Sequence, residues 1–215
     1  MVKNPEIAEL QVGTLQPSHL DYPSLLKQDW NDSPLPTISF IGNSALLKQT
    51  QTLAIFCSVK CPGDQILKTY DLARSLRDRG ITTVSGFHSP MEKECQIILL
   101  RGKQTVIHCP ARNIERMRLL KEQKTAIQQN RLLVVSPFQG AKHRMTSALA
   151  QKRNQFVAAL ADTVFIAYAS SGSKTEELAK QIISSGKQIS TFASDDNQNL
   201  IDLGAQKIDN LYQSE

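Results

Sequence analysis

Small polar residues, one glycine, a lysine and a threonine crowd the stretch "ASSGSKTEE". It lies between an apolar run, "TVFIAYA", and a helix-like pattern, "KTEELAKQIISSG". Residues of these types at a strand-to-helix turn suit an anion. Small side chains let backbone N–H groups approach a phosphate, and the helix N-terminus that follows carries partial positive charge. Ser171, Gly172, Ser173, Lys174 and Thr175 are therefore candidate phosphate-binding residues. The stretch is not a Walker A loop. That motif needs a glycine before the Lys-Thr pair and another five residues earlier, where this chain has Ser173 and Tyr168. A G-x-G-x-x-G dinucleotide fingerprint is also absent from the chain.

Three further loops have the same character: "CSVKCPGD", with Ser58 and Lys60; "SGFHSPM", with Ser85 and Gly86; and "SPFQGAKHR", with Lys142, His143 and Arg144. Each starts with small polar residues at the end of an apolar run. Such residues also make good turns and helix caps, so any one loop has a bland reading beside the functional one. Arg153 and Asn154, preceded by Lys152, sit within "SALAQKRNQFVAALAD". At helical spacing Arg153 shares a face with Leu149, Val157 and Leu160, so it points inward. An inward arginine needs an anion or a carbonyl cluster. It is either an anion ligand or half of an internal ion pair with Asp162 or Glu176, and the sequence leaves both open.

Catalytic constellations are thin. Nothing like G-x-S-x-G surrounds the serines. Glu176 and Glu177 are adjacent and diverge by about 100° on a helix, so they form no acid–base couple. Of the four cysteines, only Cys57 and Cys61 are close in sequence. Without a CxxC or HxxxH pairing, a zinc site from Cys57, Cys61, His88 and His108 has little support. No cofactor or metal is implied.

The elements that must position these loops alternate in type. Strands are expected at 37–42, 51–58, 81–86, 103–109, 131–138, 163–169 and 187–194. Helices are expected at 64–80, 89–102, 111–130, 147–162 and from 174 onward, with a helix and a short strand after 195. Ser89, Pro90 and Glu92 spell a capped helix start. The segment 111–130 reads as a basic amphipathic helix. Alternation of this kind argues for an α/β fold, a doubly wound, mostly parallel sheet with helices on both faces and loops gathered at the carboxyl edge. Residues 1–36, with five prolines and little periodicity, read as an extended arm before a domain at 37–215. The formal charge of +5 over 215 residues mildly favours an anionic partner. An N-terminus without an apolar core and the lack of any long apolar run give no signal for export or membrane insertion, so a cytoplasmic location is expected.

Taken together, the pieces resemble the DNA-processing protein A (DprA, or Smf) family, within the Rossmann-like group that also holds the LOG nucleotide hydrolases. The likeness runs from about residue 20 to 194. "DYPSLLKQDWNDSPLPTISFIGN" resembles the family's Tyr-Pro segment and its first strand. "LAIFCSVKCPGD" and "TTVSGFHSPME" resemble its Gly-Ser-Arg and Val-Ser-Gly loops. "QKRNQFVAAL" and "SSGSKTEEL" resemble its Arg-Asn-Arg helix and Ser-Gly-x-x-x-Thr loop. The departures are Val59 at the arginine of Gly-Ser-Arg, with Lys60 next to it; Pro90, Met91 and Glu92 at a Gly-Ile-Asp end; and Pro137 at a glutamate. A winged-helix module common after the core is not seen, so the chain is expected to be a core-only member.

The resemblance implies single-stranded DNA binding in a basic pocket, a homodimer, and help in loading a RecA-type recombinase during DNA uptake and natural transformation. The residues it would employ are Ser58, Lys60, Ser85, Gly86, Lys152, Arg153, Asn154, Ser171, Gly172, Ser173, Lys174 and Thr175. Phe87 and Phe138 are the edge-loop aromatics available for base stacking. The alternatives are a LOG-like nucleoside monophosphate phosphoribohydrolase and a sensor of a nucleotide-derived ligand. The enzyme alternative lacks its acid, because the motif's final glutamate falls on Leu178.

Overall fold

Largely apolar strands of five residues, such as "LAIFC" and "LLVVS", are stable only when both faces are covered, and the fold buries every residue of both. The computed structural model describes residues 10–30, 32–140 and 144–208. Among these residues nine strands form one sheet: β1 (Val12–Leu15), β2 (Ile38–Ile41), β3 (Leu53–Cys57), β4 (Thr83–Ser85), β5 (Val106–His108), β6 (Leu132–Ser136), β7 (Thr163–Tyr168), β8 (Ile189–Phe192) and β9 (Gln206–Ile208). Their order is β1-β2-β6-β5-β4-β3-β7-β8-β9. From β6 to β9 every pairing is parallel, and β1 and β2 add an antiparallel edge.

Helices cover both faces, as the alternation predicts. On one side lie α2 (Gly63–Arg79), α3 (Pro90–Leu99) and α4 (Lys121–Gln128). Leu72, Leu76, Cys95, Leu99 and Ile127 pack there against Leu53, Ile55 and Val134 of the sheet. On the other side lie α1 (Ser24–Asp29), α5 (Ser147–Leu160) and α6 (Lys174–Ser184), with Leu26, Phe156, Val157, Leu178 and Ile182 packed on Ala54, Phe56 and Ile166. A short α7 (Gln198–Asp202) precedes β9. After β3 the chain steps outward through β4, β5 and β6, then returns to the other side of β3 as β7. The β3–β7 boundary is therefore the topological switch point, where loops leave in opposite directions and open a crevice.

Two segments depart from expectation. Residues 111–120 form turns and irregular chain, and the helix begins only at Lys121. The side chain of Asn113 accepts the Glu115 N–H at 2.7 Å and donates to the Gly140 carbonyl at 2.9 Å, which draws the backbone out of helical geometry. Ala111 and Ile114 are buried as anchors of this loop. Residues 12–15, expected within an extended arm, are extended and join the sheet as β1, in register with β2. Tyr22 and Leu26 are buried, and the Tyr22 hydroxyl donates to the Pro36 carbonyl at 2.8 Å.

A candidate anion cleft at the sheet switch point

The loops after β3 and β7 meet through one hydroxyl. Ser58 is buried, accepts the Ser170 N–H at 3.2 Å and lies 3.4 Å from Ser173 Oγ. Ser173 caps α6 by accepting the Glu176 N–H at 3.3 Å. Gly172 precedes it at φ +69°, a left-handed conformation that favours glycine. The Glu176 carboxylate turns back to accept the Gly172 N–H at 3.0 Å and an Asn199 amide N–H at 2.6 Å, with Lys180 at 3.3 Å. Asn199, the Gly172 N–H and Lys180 together hold the Glu176 carboxyl below the usual range. The cap is thus Ser173, with Glu176 bracing the loop; Gly172 and Thr175 do not cap.

The third wall comes from β4 and α3. The capping box at Ser89 is formed as expected. Glu92 in addition accepts the backbone N–H groups of Cys57 at 3.1 Å and His88 at 2.8 Å, tying the β3 and β4 loops together. Ser85 is fully buried. Its hydroxyl donates to the Ile55 carbonyl and accepts the Phe87 N–H, so it supports the loop from below.

Arg153 of α5 forms the floor and is only 4% exposed. Its Nε donates to Asn154 Oδ1 at 2.7 Å and its Nη1 to the Cys109 carbonyl at 3.1 Å. Neither Asp162 nor Glu176 pairs with it: Asp162 accepts from Thr52, and Glu176 is engaged as above. Gly86 lies directly beneath the guanidinium, where a Cβ would sit 1.3 Å from Nη1. The glycine is required by this close approach. Below lies His108, buried and stacked edge-on to Phe87, with its Nδ1 unpartnered. Burial first, then the Arg153 charge, pushes its pKa down to about 3. His88, exposed at the rim, is also lowered, by partial burial and Arg153.

The resulting cleft has a volume of about 230 Å³. Its polar lining includes Ser58, His88, Arg153, Asn154, Ser173, Lys174 and Thr175. Lys174 reaches across the mouth to Ser147 Oγ. The remaining candidates lie elsewhere. Lys60 borders an adjoining open depression with Cys61 and Tyr168. Ser171 and Gly172 are exposed on the outside of the β7 loop. Lys152 turns away to Asp32 at 2.6 Å and rests 5.8 Å from the Trp30 ring centroid. Phe87 and Phe138 are 4% and 1% exposed, so neither is available to stack on a base. The described residues of the β6 loop add nothing to the cleft lining, and Lys142 and His143 fall outside the described residues. Glu92 and Ser147 were missed from the sequence. The capping-box spacing located Glu92, but its bonds to the β3 and β4 loops depend on tertiary contact.

A mostly parallel sheet covered on both faces, with its crevice at the β3–β7 switch point, defines a Rossmann-like α/β protein. Within that class the family follows from comparison: the model for DNA recombination-mediator protein A matches residues 13–213, and the chain belongs to that family. Among solved structures it is similar to DNA processing protein A from Helicobacter pylori, a single-stranded DNA binder, with 21% identity, TM-score 0.75 and coverage of 94% of this chain and 93% of that one. It is also similar to DNA processing protein A from Streptococcus pneumoniae, with 18% identity, TM-score 0.77 and coverage of 98% and 77%. The molybdenum cofactor binding protein of Rippkaea orientalis shares the fold more loosely, with 10% identity, TM-score 0.53 and coverage of 76% and 91%. No curated protein matches the chain.

Proposed function

We propose that this protein binds single-stranded DNA at the β3–β7 edge and acts in DNA processing and uptake, as a cytoplasmic homodimer that hands the strand to a RecA-type recombinase. The observation that carries the proposal is Arg153. Its guanidinium is buried, faces no carboxylate among the described residues, and keeps Nη2 outside its two hydrogen bonds at the cleft floor. A buried cation without a counter-ion is costly, and a backbone phosphate would neutralise it. The N-terminus of α6 and Lys174 add to the same field. Membership of the family and the likeness to a single-stranded DNA binder point to nucleic acid as the anion.

The phosphoribohydrolase alternative gains nothing from the cleft. Leu178, at the position of the missing acid, is 4% exposed in the core under α6, and Glu176 is held by three partners.

Titration of a labelled oligonucleotide at low salt tests the proposal. The wild-type chain binds, and Arg153→Ala binds about tenfold or more weakly, the loss expected for a charge-assisted hydrogen bond worth about 1.5–3 kcal/mol. Absence of wild-type binding sinks the DNA reading. Unchanged affinity in a folded Arg153→Ala returns Arg153 to a structural role.

A further inference from the structure

The four cysteines differ sharply in setting. Cys95 is buried, 3.4 Å from Met91 Sδ and 4.0 Å from the Thr69 carbonyl, and Cys109 is buried on the opposite side of the sheet. Cys57 ends β3, and Cys61 follows four residues later, beside Pro62, the N-cap of α2. They stand at the two ends of one three-residue loop, and each thiol acts on the electrostatics of the other. Cys61 alone among the four is partly exposed, and it lines an open depression of about 580 Å³ with Val59, Lys60 and Met91. A small oxidant therefore reaches Cys61, and Cys57, across the loop of Ser58, Val59 and Lys60, is the thiol placed to resolve it.

We propose that Cys57 and Cys61 form a reversible dithiol–disulfide pair, with Cys61 the attacking sulfur, Cys57 the resolving sulfur and a peroxide the oxidant. In the first step the Cys61 thiolate attacks one peroxide oxygen. The O–O bond breaks, the departing hydroxide takes up a proton to give water, and Cys61 becomes a sulfenic acid. In the second step the Cys57 sulfur attacks the Cys61 sulfur. The S–O bond breaks, and the departing hydroxide leaves as water with the Cys57 proton. Two thiols and one hydrogen peroxide give one disulfide and two waters, and an added dithiol reverses the change.

The local electrostatics assign the same roles. The Cys57 thiol holds the Cys61 thiol below its ordinary range, against partial burial and the Asp64 and Asp196 charges. Cys61, burial, and the neighbouring Glu92 and Cys95 push Cys57 upward, so it keeps its proton until the sulfenic acid forms. The N-terminus of the 17-residue α2 further favours a thiolate at Cys61. The bond would close a small ring around Ser58, Val59 and Lys60. It would stiffen the loop whose Ser58 joins the two sides of the cleft.

Trypsin makes the test direct, because Lys60 lies between the two cysteines. The reduced full-length chain is treated with about one equivalent of hydrogen peroxide, alkylated and digested. The expected product is the peptide 49–60 joined to the peptide 61–68, separated again by dithiothreitol. Cys61→Ser abolishes the joined species, and Cys95→Ala retains it. Recovery of both peptides unlinked, a sulfinic acid at Cys61 with Cys57 alkylated, or a link from Cys57 to Cys95 or to a second molecule overturns the proposal. The readout is a mass, so it stands whether or not the cleft binds an oligonucleotide.

Discussion

Gly86 and Arg153 form one unit, in which the absence of a side chain at one position seats the guanidinium of the other. Gly86→Ala should displace Arg153 rather than leave it in place. The expected cost is about 1–3 kcal/mol of stability from overpacking, seen in urea unfolding, together with a loss of oligonucleotide affinity close to that of Arg153→Ala. A Gly86→Ala protein with wild-type affinity would show that the guanidinium tolerates another position. His108 makes a separate prediction. Its folded pKa of about 3 lies below the ordinary histidine value of 6.5, so the unfolded chain binds the extra proton across that window. Stability from the neutral imidazole is full above about pH 6.5 and is lost as pH falls toward about 3, at up to about 1.4 kcal/mol per pH unit. His108→Gln should show a shallower acid limb than wild type, and parallel limbs would remove His108 from the account. At this scale, periodicity was enough to place Arg153 inward, because a helix face is a local property. It was not enough to show which loop aromatics are buried. Phe87 and Phe138 lie in polar loops, and only contacts with β5 and neighbouring segments decide their exposure.

Among the elements, α3 shows where local sequence and tertiary function coincide. Ser89 and Glu92 satisfy each other at its start, and the Glu92 carboxylate also holds the backbone of β3 and of the β4 loop. Ser89→Ala removes the cap and should cost about 1 kcal/mol, a fall of roughly 2–4 °C in Tm for a chain of this size. Glu92→Gln is the useful companion, because it keeps the shape while turning one acceptor oxygen into a donor and leaving the other uncharged, and a smaller loss than for Ser89→Ala would limit Glu92 to capping. Strands β2 to β8 and helices α2, α3, α5 and α6 were legible within a few residues, because buried parallel strands read as apolar runs bounded by turns. The segment 111–130 was misread because its apolar residues fit a helical period while Asn113 spends its side chain on the backbone. Periodicity reports which residues seek burial, and here Ile114 finds it from a loop. The strand β1 was illegible for a different reason: "VGTL" has too little pattern of its own, and pairing with β2 defines it.

Over the whole molecule the excess of 25 cations over 20 carboxylates is modest, so the placement of cations matters more than the total. Several lysines are spent far from the cleft, as in Lys187 with Asp29 and Lys48 with Asp21. Lys152 is adjacent to Arg153 in sequence but is held by Asp32 under Trp30. Lys174 and Arg153 line the cleft, and Lys60 borders the depression beside it. A strand lying along this edge would meet about three of these charges. Each phosphate neutralised on single-stranded nucleic acid contributes about −0.7 to the slope of log affinity against log salt, so the expected slope is about −2. Raising salt from about 50 to about 200 mM should then weaken oligonucleotide binding roughly 20-fold. Placement makes the prediction sharper than total charge does. Lys60→Ala and Lys174→Ala should each bring the slope about 0.7 closer to zero, whereas Lys152→Ala should leave it unchanged, although all three remove one positive charge. Equal effects of the three substitutions would mean that the strand responds to the overall charge of the molecule, and the β3–β7 edge would lose its claim to be the binding site.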